Sequence, residues 1–159
     1  MKLLLFVFIT CFLHKPLASP HSFVNNKNVP NDTLLRLSKE FLLSKEKAYQ
    51  QKATEKDVER VLNFCSDSVN YHHILSPEKK FSFSGKDLWK AGMIAHLGET
   101  KNAKIRILNF MQRQNVVIIE FELSREVQGK NGWEKSFVTT VSVIEFDSNG
   151  KIVKLTDYL

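Results

Sequence analysis

The stretch SDSVNYHHIL, Ser66 to Leu75, carries the only adjacent histidines in the chain. An imidazole with an ordinary pKa of about 6.5 can take or give a proton at neutral pH without the tuning a carboxylate needs. The stretch reads as a short β-strand, where successive side chains point to opposite faces. His72 and His73 therefore cannot share one metal ion or one substrate. A second reactive group stands in KIVKLTDYL, where Val153, Leu155, Asp157 and Leu159 fall on one face. Asp157 is thus a carboxylate in an apolar row, and burial there demands a raised pKa or a partner. In the preceding strand Ser142 lies between Thr140 and Ile144 on one face and offers a hydroxyl. Trp89 and Met93, four apart on a predicted helix, read as pocket lining or as plain helix core. His21 and His96 stand apart, so no metal set is expected. Without a Gly-rich phosphate loop, a nucleophile elbow or an HExxH helix, no cofactor is expected either.

The elements that must position these groups follow from periodicity. A helix is predicted from about Thr33 to Lys52, capped by Asn31 or Asp32, with Leu34, Leu37, Phe41 and Ala48 on one face and Tyr49 near its end. Thr54 and Asp57 form a capping box that opens a second helix. Val58, Val61, Leu62 and Cys65 then recur at helical spacing, which turns Cys65 toward the core. After the histidine strand, SPEKKFSFSG reads as a loop anchored by Phe81 and Phe83, and Ser84 with Asp87 as the capping box of a third helix. The remainder is β: NAKIRILNFMQ, NVVIIEFELSREV, SFVTTVSVIEF and KIVKLTDYL, separated by turns such as DSNGK. Three helices followed by four antiparallel strands predict an α+β domain with helices on one sheet face. Glu120 and Glu122 put charge on the other face of their strand, which faces solvent or a second copy.

The ends and the charge bound the setting. Residues 1–19 read as a signal peptide: Lys2, an apolar run from Leu3 to Leu13, then small residues near Ala18 and Ser19. The run is about half of what a permanent membrane span needs, so no stable anchor is expected after cleavage; a retained anchor is the alternative. Residues 20–31 read as a flexible lead-in, and residues 32–159 as one domain. Without Lys2 and Lys15 the formal charge drops from +6 to +4. Bases and acids alternate, as in SKEKAYQQKATEKDVER, which is a solvated face and not a nucleic-acid stripe. Only Cys65 remains in the mature chain, so a secreted or periplasmic domain would hold together by its core and not by a disulfide.

DVERVLNFCSDSVNYHH, FSGKDLWKAG and VSVIEFDSNGKIVKLTDYL, in that order, resemble the cone-shaped nuclear transport factor 2-like superfamily. That superfamily includes ketosteroid isomerase and the polyketide-cyclase-like (SnoaL-like) proteins, and the resemblance spans about Thr33 to Leu159. It implies three helices packed on a curved, mostly antiparallel sheet. Counted without gaps from Phe64, His72 falls where the isomerases carry their aspartate base, so the resemblance sends Asn70, His72 and Ile74 inward and His73 to a structural role. It further implies that His72 partners Asp157 as the catalytic pair. Tyr49, by its distance from Asp57, and Ser142 take the places of the isomerase oxyanion donors, although serine is a weaker donor than a protonated acid. The complete isomerase set is absent.

Two functions remain open on this reading. In one, an exported SnoaL-like protein holds a small, largely apolar ligand in its cone, with Tyr49, Asn70, Trp89 and Ser142 as contacts and His72 with Asp157 as acid–base groups. In the other, the fold is a non-catalytic module that forms a homodimer or holds a protein through its open sheet face. The family contains both kinds.

Overall fold

A computed structural model describes residues 31–159; residues 1–30, with the expected signal peptide and most of the expected lead-in, lie outside the described residues. Helix α1 spans Asn31–Ala48 and buries Leu34, Phe41 and Ala48 of the expected stripe together with Leu42, while Leu37 is half-buried. It stops four residues before the expected Lys52, and residues 49–52 form a turn. Helix α2, Glu55–Leu62, starts at the Thr54 cap, where the Asp57 carboxylate accepts the Thr54 N–H at 2.9 Å. It buries Val58, Val61 and Leu62.

Strand β1 is Cys65–Ile74. The segment expected as a loop contains strand β2, Lys80–Ser84, whose KFSFS alternation pairs with β1. Helix α3, Lys86–Ala95, is capped by Gly85 at φ +91°, a conformation open to glycine, and not by the expected Ser84. Ser84 instead ends β2, and its hydroxyl donates to Asn70 at 3.0 Å. Three long strands follow, β3 Thr100–Arg113, β4 Val116–Gly129 and β5 Gly132–Phe146, and then β6, Ile152–Tyr158.

The six strands form one open sheet in the order β2-β1-β6-β5-β4-β3, with the helices packed on one face. Neighbours are antiparallel except β1 and β6, which run parallel. The last strand therefore lies between β1 and β5 and does not simply extend a meander. Alternation in β4 buries Val117, Ile119, Phe121 and Leu123 beneath the helices. β3 is an edge strand whose register shifts between Lys101 and Lys104. Side chains from α1 and the turn after it satisfy its backbone there: Gln50 Nε2 donates to the Ala103 carbonyl at 2.8 Å, and Ile105 N–H donates to Glu46 at 2.7 Å. Cys65 is buried as expected, though it opens β1 instead of closing α2. Burial pushes its thiol up to about 12, so it serves as apolar filler.

Candidate functional site

Three side chains from three elements converge on one carboxylate. Asp157 of β6 is 3% exposed. Lys45 Nζ of α1 donates to its Oδ2 at 3.0 Å, the Tyr71 hydroxyl of β1 donates to the same oxygen at 3.1 Å, and the Ser142 hydroxyl of β5 donates to Oδ1. Strand register brings them together: β5 sets Ser142 opposite Asp157, and parallel β1 sets His73 beside it. Burial works against the Lys45 ammonium, but the charge of Asp157 and its hydrogen bond outweigh burial and hold the pKa above the ordinary lysine value. Lys45 and Asp157 thus form a buried ion pair, and two hydroxyls donate to further carboxylate lone pairs.

Tyr71 carries the arrangement outward. Burial, and then the neighbouring Asp157 charge, push its phenol well up, so it keeps its proton. The same hydroxyl oxygen lies 2.7 Å from His73 Nδ1. One phenolic proton serves two contacts, and a carboxylate can only accept. The assignment that satisfies all three groups has Tyr71 donating to Asp157 and His73 Nδ1–H donating to Tyr71. Nε2 of His73 is then the unprotonated nitrogen, and it has no hydrogen-bond partner among the described residues. Burial, joined by the charges of Lys45 and Arg125, lowers the His73 pKa against the pull of Asp157, which keeps the ring neutral at pH 7.

His73 opens into a cleft of about 310 Å³ between β1, β2, α3 and the end of α1. Tyr49, Tyr71, Phe81, Phe83, Trp89 and Met93 make its walls chiefly apolar. Tyr71 stacks with Trp89 at 4.7 Å between ring centroids and an interplanar angle of 11°, and with Phe83 at 6.1 Å and 8°. Gly92 lets Phe83 sit against α3, since a Cβ there would come within 3.2 Å of its ring. Among the described residues no three His, Cys, Asp or Glu side chains cluster as a metal site.

The placement of the histidines corrects the sequence reading. His72 does not share a cavity with Asp157; it lies on the opposite face, with Nδ1 2.9 Å from Ser82 Oγ. Asn70 lies there too, exposed and bonded to Ser84. The inward set is Cys65, Val69, Tyr71 and His73, a parity already present as C-x-x-x-V-x-Y in the sequence. Counting without gaps from Phe64 put the strand one residue out, which flips every side chain. Ser142 and Asp157 do meet, but neither lines the cleft; Tyr49 and Trp89 do. Lys45 was missed entirely. Its signal was a charge on the apolar stripe, at Phe41 plus four and Ala48 minus three.

A family model for the SnoaL-like domain matches residues 47–155. No curated protein matches. Among solved structures, a Shewanella putrefaciens protein described as a SnoaL-like polyketide cyclase is similar at TM-score 0.64 and 10% identity, covering 82% of this chain and 90% of that one. A LEH-like epoxide hydrolase of M. tuberculosis is similar at TM-score 0.59 and 16% identity, over 80% and 82% of the two chains. A de novo designed protein with a curved β-sheet is similar at TM-score 0.56 and 14% identity, over 82% and 88%.

Breaking the buried pair from one side leaves an uncompensated charge. Lys45→Met and Asp157→Asn should each cost about 3–5 kcal/mol in urea unfolding. The double variant, which removes both charges, should be no less stable than either single one. A strictly additive loss would show that the two do not act as a pair. His73 gives a second expectation. Its folded pKa lies below its unfolded value, so as pH falls through about 6.5 the unfolded chain takes up the proton first. This contribution is complete above that pH and is lost on acidification toward the folded value. Between about pH 7 and pH 5 the wild type should therefore lose more stability than His73→Gln; parallel profiles would refute it.

Proposed function

Because this chain belongs to the SnoaL-like domain family, we propose that its aromatic cleft binds a small, largely apolar and planar molecule, and that His73 acts on it as a general base. The supporting observation is the fixed imidazole: Nδ1 is held by Tyr71, itself braced by the Asp157–Lys45 pair, while Nε2 is left free beside aromatic walls. A neutral, oriented imidazole in a largely apolar cleft suits proton abstraction at neutral pH. The volume is near the lower bound of small-molecule sites. Similar folds bear the names of a cyclase and an epoxide hydrolase, so the fold leaves the reaction type open. The signal-peptide pattern of residues 1–19 supports reading the protein as exported, which N-terminal sequencing of the mature chain would check.

Two probes test the reading. In a Trp133→Phe background, 2-naphthol should quench Trp89 fluorescence saturably, and Gly92→Phe should abolish the quenching by filling the cleft. Ring opening of 5-nitrobenzisoxazole, a planar substrate that needs only a base, should fall by about 10²-fold in His73→Gln with naphthol binding kept. Unchanged turnover in that variant would remove the base role.

A second reading concerns self-association. The sheet face away from the helices presents Met111 and Phe137, 65% and 68% exposed, beside the half-buried Ile118, Val141 and Val143. A second copy is the natural cover for such a face. Sedimentation velocity should then show a dimer that Val141→Lys disperses; a monomeric wild type at micromolar concentration would exclude it.

A further inference from the structure

His73 is not the only imidazole in the cleft. His96, the residue that caps the C-terminal end of α3, lines the same cavity. Its Nδ1 lies 2.7 Å from the Glu99 carboxylate, within ion-pair distance. With Nδ1 held there, Nε2 is the ring nitrogen left for a ligand, as it is in His73. The two rings come from different walls, β1 and α3, and their partners differ in kind. A phenol braces His73, whereas a carboxylate, a negative partner, stands against His96. A base must be neutral and an acid must carry the proton, so the two partners suit opposite tasks.

Resting on the reading of His73 as base, we infer that His96 is the proton donor of the same cleft, and that the substrate class is a small planar molecule in which a C–H bond and a bond to oxygen break together. In that step the His73 Nε2 lone pair takes the proton from carbon. The C–H electron pair becomes a new π bond. The bond to oxygen breaks with its electron pair on oxygen, which receives the proton from His96 Nε2. Charge is conserved, and proton exchange with solvent resets both rings.

The two roles separate on a pair of probes that differ in leaving group. 5-Nitrobenzisoxazole releases a stable phenolate that needs little help, while unsubstituted benzisoxazole releases a basic one that gains from a proton donor. His96→Gln should leave KM nearly unchanged on both. It should lower kcat at least about tenfold more on benzisoxazole than on the nitro compound, the mark of lost acid catalysis. Glu99→Gln should show a smaller loss with the same leaving-group trend. The His96 side chain is 73% exposed, so its replacement leaves the core intact, and an unchanged melting temperature checks this. An equal loss on both probes, or none, would overturn the donor role while leaving His73 as base. Turnover that does not depend on His73 would overturn both.

Discussion

A carboxylate on an inner strand of a sheet, buried against helix α1, loses its water and must recover the interaction from the protein. Asp157 does so through Lys45, Tyr71 and Ser142, which come from α1, β1 and β5. Lys45 and Asp157 stand 112 residues apart in sequence, so their contact ties the first described helix to the last strand. Hydrophobic burial of Phe41, Ile144 and Leu155 around them sets the distance but has no directional preference. The ion pair and its hydroxyl bonds supply direction. They fix the rotation of Tyr71, and Tyr71 in turn fixes His73.

Seen this way, the cleft is an outgrowth of core chemistry. Around His73 a ligand would meet aromatic rings, and the charges that orient this imidazole through Tyr71 sit one layer deeper. A designed protein with a curved sheet has a similar backbone, which shows that the architecture can be specified without inheriting any one activity. In this chain the register of parallel β1 and antiparallel β5 against β6 brings His73 and Ser142 beside Asp157.

The order of elements was legible because helix caps, apolar stripes and turn residues are local signals. Thr54 with Asp57, and the alternation of β4, needed no tertiary information. Asp157 stood out because a carboxylate in an apolar row requires a partner. The identity of that partner was hidden, since a strand sequence does not reveal which helix residue crosses it; Lys45 could be suspected only as a charge in the stripe of α1. For the histidines, alternation within the strand was the better guide than a count carried over from relatives. Cys65, Val69 and Tyr71 pointed inward on their own chemistry, and His73 shares their parity. β2 was obscured by its exposed, lysine-flanked edge, where only pairing with β1 decides between strand and loop.

The position of β6 also sets an order of events for a chain as it is made. β6 follows every other element in sequence yet lies inside the sheet, between β1 and β5. Until it arrives, those two strands each present an open edge, and the Lys45 ammonium has no counter-charge within the core. Closing the sheet requires contacts across long stretches of chain, the kind that form slowly. The same seven residues that seal the two edges also bring the carboxylate that braces Tyr71 and His73. A chain without β6 would leave both edges open and the imidazole unaligned, and β6 remedies the two together.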